Sequence, residues 1–338
     1  MKGSSEGRLV YIDLAKGFGI ICVILGHMGN TYINRFVFSF HMPLFFMISG
    51  LFLSTKITAK ETFKRRIKQL LPPYILTSFA IIITSILKNI VGIITERKSY
   101  LDLIHDVCRW TYAAFYGSGA NHDGPIKVVL IGAVWFLLAS IFSSYFVRKA
   151  LDNKYPGVIV VLIALTGYFT SKVAWLPWSI QAGMTATVFM YMGVVIKNIG
   201  FLEKYNVEIL GAAIVLWINE IVHGRPCIGI VENQYPNGAF DFVGGGAGAL
   251  CVIWIIKFVY ENIKIEYLYR ALAWMGRNSM IILCLHLFEL NMIPWSKGMA
   301  LLGMSEHTFL PILVCKILWA VLGAYFINKI KDSDRKDI

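Results

Sequence analysis

The chain has 338 residues, 57% hydrophobic and 15% charged, with a mean hydropathy of +0.63. Soluble domains carry about 25% charged residues, so an ordinary soluble domain is excluded and an integral membrane protein is expected. The net charge of +12 would suit a nucleic-acid binder or basic cytoplasmic loops, and its distribution along the chain decides between them.

Apolar segments of about 20 residues can cross a bilayer. Spans are predicted near 9–29, 34–53, 72–94, 127–147, 157–173, 179–196, 207–223, 239–260, 278–296 and 308–328. The expected fold class is therefore all-α: a polytopic integral membrane protein with about ten transmembrane helices. One membrane domain is expected over 1–338, with no separate soluble domain. Lys2 and Arg8 precede the first span as in a signal peptide, but Asp13 and Lys16 interrupt the apolar run and no small-residue cleavage site follows. An uncleaved first span is expected.

An even number of spans puts both termini on one side. With that side cytoplasmic, the inward segments hold 21 Lys and Arg and the outward loops 8, while Lys16, Lys88 and Lys316 fall inside spans. This asymmetry predicts cytoplasmic termini in a plasma or inner membrane. It accounts for much of the basic charge, so the expected partner is the lipid bilayer and not nucleic acid.

The longest outward loop, 95–126, is too long for a passive turn and suggests a lid or rim. The six cysteines are scattered without metal-site spacing and read as small core residues, with a Cys108–Cys227 disulfide as the alternative. No metal site is expected. The glycines of "GGGAG" (244–248) lack a following Gly-Lys-Ser/Thr and read as close helix packing.

Ionisable residues in the first span are the main anomaly. Asp13 and Lys16 are three apart and share a helix face. Lys16 and His27 are eleven apart, about three turns, so they share a face with an axial separation of about 16 Å. Such groups are costly in a bilayer and face a cavity or the bundle interior. His41, and His286 with Glu289 at i+3, add polar groups to the outer halves of other spans, as do Glu220 and Asp241 near helix ends. Each could instead be a satisfied interior residue, and Asp13–Lys16 a structural ion pair. Trp110, Trp175 and Trp178 lie in or beside outward loops, where they suit a sugar face or a membrane interface.

"RLVYIDLAKGFGIICVILGH", "FVFSFHMPLFFMISGLFL", "FKRRIKQLLPPYIL", "AVWFLLASIF" and "GRNSMIILCLHL", in that order, resemble the membrane acyltransferase-3 family, and within it the fucose 4-O-acetylase branch. The family's signature, an Arg, ten residues and a His, falls on Lys16 and His27. Lys keeps the charge without the bidentate fork of Arg. The resemblance implies transfer of an acyl group, usually acetyl, from cytoplasmic acyl-CoA to a hydroxyl of an outward-facing carbohydrate. No cofactor is expected to be permanently bound; acetyl-CoA or another acyl-CoA is a substrate. His27 is the expected general base, or a nucleophile forming an acetyl-imidazole. Asp13 and Lys16 fall to the donor half of the site. Lys64, Arg65 and Arg66 are candidate contacts for CoA phosphates, with plain positive-inside charge as the alternative. His41, Trp135, His286 and Glu289 are candidates for the acceptor side or the cavity. The rival class is a transporter or flippase whose polar stripe is a substrate path.

Overall fold

A computed structural model describes residues 9–203, 206–223, 227–301, 303 and 309–334. Lys2, Arg8, Lys204, Arg225, Arg335 and Lys336 of the charge count lie outside these residues.

The chain is nearly all helix. In order it forms α1 (Val10–Gly26), α2 (Thr31–Phe38), α3 (His41–Leu51), α4 (Ala59–Ile94), α5 (Tyr100–Tyr116), α6 (Trp135–Ala150), α7 (Pro156–Ser171) and α8 (Ile180–Asn198). Then follow α9 (Val207–His223), α10 (Ala239–Asn262), α11 (Glu266–Arg277), α12 (Ser279–Met292), α13 (Trp295–Leu301) and α14 (Phe309–Asp334). A two-stranded antiparallel hairpin, β1 (His122–Asp123) with β2 (Lys127–Val128), lies between α5 and α6.

Among the described residues, four stretches are each long and apolar enough to cross a membrane: Ala59–Ile94, Pro177–Asn198, Ala239–Asn262 and Phe309–Ser333. A fifth arises if α11 and α12, bent by 74° at their junction, count as one span. The remaining expected spans take other forms. The segment 34–53 is broken between α2 and α3 at Ser39 and Phe40. Helix α7 has 16 residues, about 24 Å against a hydrocarbon core of about 30 Å. A window of apolar residues reports composition and says nothing of whether the helix through it is continuous.

Local chemistry explains several boundaries. Helix α4 starts well before its apolar part because Thr58 and Glu61 form a capping box, and it continues through Pro72 and Pro73. Ser99 and Asp102 form another box that starts α5, and Gly117 ends it at φ 71°. The loop 95–126 is thus mostly a capped helix. Asp106 on α5 accepts hydrogen bonds from Asn89 Nδ2 (2.9 Å) and Lys98 Nζ (3.3 Å), tying it to the end of α4.

Two helix crossings bring backbone against backbone. A Cβ on Gly50 of α3 would lie 1.9 Å from the Met190 carbonyl oxygen of α8, and one on Gly193 would lie 2.0 Å from that of Met47. At the α1–α11 crossing, Gly17 faces the Leu272 carbonyl and Gly276 that of Asp13. Gly244, Gly245, Gly246 and Gly248 of α10 face side chains, among them those of Glu220, Pro43, Met192, Trp217 and Phe40, the close packing expected of "GGGAG". These approaches hold α1, α3 and α11 around one internal space.

Candidate active site

A cavity of about 1090 Å³ runs along α1. Asp13 and Lys16 line it near the start of the helix and His27 at its end, with α3, α4, α6, α11 and α12 completing the wall. The face shared by Lys16 and His27 therefore opens onto one continuous space. Glu232, Asn34 and Asn291 also line it. A second cavity of about 400 Å³ meets the first at His27 and is lined by Lys316 and Asn30.

His27 follows the last turn of α1. Its Nδ1 lies 2.8 Å from the Val23 carbonyl oxygen and 3.3 Å from Nε2 of His286. His286 Nδ1 in turn lies 2.8 Å from Glu289 Oε1. Both Glu289 oxygens accept from Lys316 Nζ, at 2.8 and 2.9 Å, and Oε2 also accepts from Trp295 Nε1. His286 and Glu289 are completely buried. A carboxylate bonded to Lys316 is an acceptor, so His286 Nδ1 donates to it and His286 Nε2 carries the lone pair. The Val23 carbonyl is also an acceptor, so His27 Nδ1 carries the proton. His27 Nε2 is then the unprotonated nitrogen available to the cavity. The chain Lys316–Glu289–His286–His27 fixes the tautomer that a general base requires.

His41 begins α3 and lines the same cavity. Its Nδ1 lies 2.7 Å from the Val37 carbonyl oxygen, across the break after α2.

The other end of the cavity is basic. Lys16, Arg66 and Arg277 line it, and Gln69 accepts from Arg66 Nη1 at 3.3 Å. Lys16 Nζ is 3.9 Å from Asp13 Oδ1 and 5.3 Å from the Phe52 ring centre. Arg277 ends α11 at the sharp bend into α12.

Several expected residues fall elsewhere. Lys64 and Arg65 are exposed and point away from the cavity, because residues adjacent on a helix project about 100° apart and only Arg66 faces inward. His286 and Glu289 stand behind His27 and do not line the cavity. Among the candidate tryptophans, Trp135 lines it, while Trp110 and Trp175 are packed in hydrophobic clusters and Trp178 is exposed. Cys108 and Cys227 are free: Cys108 is exposed on α5 and Cys227 lines the cavity, so no disulfide joins them. Arg277 and Lys316 were not singled out by sequence. Arg277 was absorbed into the general basic charge, whereas the signal for Lys316 was its place inside an apolar span.

No curated protein and no solved structure matches the chain. The family description "Acyltransferase domain" of acyltransferase-3 matches residues 9–329, which include α1, the cavity-lining helices and Lys316. Together with its apolar helices, this match establishes that the chain belongs to the acyltransferase-3 family of membrane acyltransferases.

Proposed function

We propose that the chain is a membrane O-acyltransferase of the fucose 4-O-acetylase-like branch. It takes an acyl group, in the first instance acetyl, from cytoplasmic acyl-CoA to a hydroxyl of an outward-facing carbohydrate. The observation that carries this reading is one continuous cavity with cations at one end and, at the other, His27, whose Nε2 has no hydrogen-bond partner among the described residues. The separation of about 16 Å along α1 is of the order of an extended pantetheine arm. The charge asymmetry supports cytoplasmic termini, an orientation in which the basic end would face the cytoplasm.

In this mechanism Arg66 and Arg277 bind the donor's phosphates, and Lys16, held by Asp13, lies along the arm. Guanidinium suits phosphate because its fork pairs two oxygens. The thioester carbonyl reaches His27. His27 Nε2 accepts the proton of the acceptor hydroxyl as its oxygen bonds to the carbonyl carbon. The carbon–sulfur bond then breaks, and the thiolate leaves with the proton from His27 as free CoA. His286 and Glu289 stabilise the imidazolium between these two steps.

Mass spectrometry of surface glycans from cells with and without the gene tests the reading. Loss of an acetyl mass from one polymer is expected. Unchanged glycans, with a solute gradient lost instead, would favour a transporter.

A further inference from the structure

The cavity presents two histidines whose Nδ1 atoms each meet the carbonyl oxygen four residues earlier. His41 is 5% exposed. Its Nδ1 meets the Val37 carbonyl oxygen at 2.7 Å, as that of His27 meets Val23 at 2.8 Å. A carbonyl oxygen has no proton to give, so in neutral His41 Nδ1 is the donor and Nε2 is an acceptor only. The Phe38 ring, with its centre 5.3 Å away, and the Val37 bond hold the imidazole in place. No residue among those described bonds to His41 Nε2, and the side chain lines the cavity.

Two acceptor nitrogens therefore face one cavity. His41 is not used by the transfer mechanism. An acceptor nitrogen that a bound ligand desolvates and leaves unpaired costs free energy, so a ligand that satisfies both nitrogens must bring two donor hydrogens. Carboxylates and phosphates bring none. Hydroxyls bring one each, without a charge to desolvate beside Phe38, Met42 and Phe45 of the cavity wall.

We propose that His41 is a second anchor for the acceptor: its Nε2 accepts a hydrogen bond from another hydroxyl of the molecule whose reacting hydroxyl is at His27, so the acceptor is a polyol. This rests on acyl transfer at His27, and it adds that a second hydroxyl is read directly. A site built to bond a hydroxyl discriminates against the analogue that lacks it, because its own polar group is left unpaired.

The test uses the purified full chain in detergent, labelled acetyl-CoA, and methyl hexopyranosides with their monodeoxy analogues as acceptors. For the wild type, one analogue that keeps the acylated hydroxyl should lose about 10-fold or more in kcat/KM. His41→Phe should use the parent acceptor at about that reduced rate and no longer distinguish the pair. His41→Gln, whose amide oxygen can accept, should keep part of the discrimination. Equal use of all such analogues by the wild type would overturn the proposal. So would variants that slow every acceptor alike and leave the ratio intact, which is what a merely structural His41 would do. If His41→Phe does not fold, the wild-type series and His41→Gln decide. Absence of transfer from acetyl-CoA to any pyranoside would strike at the transfer reading itself, and this inference would fall with it.

Discussion

Replacing Glu289 by Gln disturbs the site without touching a residue of the cavity wall. Glu289 accepts from His286 Nδ1 at 2.8 Å, from Lys316 Nζ at 2.8 and 2.9 Å, and from Trp295 Nε1. An amide has one oxygen for these donors. If that oxygen faces His286 and Lys316, the amide N–H group opposes the Trp295 N–H. If it is turned round, the amide donates to His286 Nδ1. His286 must then carry its proton on Nε2, 3.3 Å from His27 Nδ1. His27 Nδ1 would have to give up its own proton to accept that bond, while still facing the Val23 carbonyl. In either orientation Lys316, 8% exposed in its side chain, loses its counter-charge. Breaking a buried pair costs about 3–5 kcal/mol, and the retained hydrogen bonds place Glu289→Gln near the lower end. Transfer should fall by about 10²–10⁴-fold, the usual contribution of a general base. Adding Lys316→Met removes the unpaired charge, so the double variant should recover thermal stability and not activity. Thermal unfolding and labelled-acetyl transfer in detergent read the two effects separately. A Glu289→Gln protein that is as stable as wild type and transfers at its rate would refute the relay.

At the basic end, Arg66→Ala and Arg277→Ala should each weaken acyl-CoA binding about 10-fold or more, charge-assisted bonds being worth about 1.5–3 kcal/mol. Lys64→Ala and Arg65→Ala should change it little, and calorimetry with CoA checks the contrast. Gly50→Ala and Gly193→Ala should each destabilise by about 1–3 kcal/mol, because the new methyl meets backbone that no rotamer change can move. Gly211→Ala in α9, with nothing within 4 Å, should be neutral or stabilising by up to about 1 kcal/mol in thermal unfolding. His122 stacks on Trp175 with ring centres 4.1 Å apart, and burial holds its pKa below the ordinary 6.5. The unfolded loop then takes up a proton first, so hairpin stability should be constant above pH 6.5 and fall as pH drops below it. Amide exchange of residues 118–131, corrected for intrinsic rates, should show this in wild type and not in His122→Phe.

The polar stripe of α1 was legible in sequence because Lys16 and His27 share one helix and need only its periodicity. The i+3 pair His286 and Glu289 was legible for the same reason. Their placement behind His27 was not, since it depends on how α12 packs on α1. Lys316 reaches Glu289 from α14, 27 residues away, and no local pattern encodes that contact. Arg65 and Arg66 are chemically equivalent in sequence, and only the rotation of α4 against its neighbours distinguishes them. The break at Ser39 and Phe40 lies within an apolar run, so hydropathy passes over it, although it is the feature that places His41 at the start of α3.

The most direct test is His27→Ala in the purified protein, measured for acetyl transfer to a hydroxyl acceptor and for acetyl-CoA binding together. Transfer should be abolished, while binding at the basic end survives, because Lys16 at that end lies about 16 Å away along α1. Near-normal transfer by a folded His27→Ala protein would contradict the account.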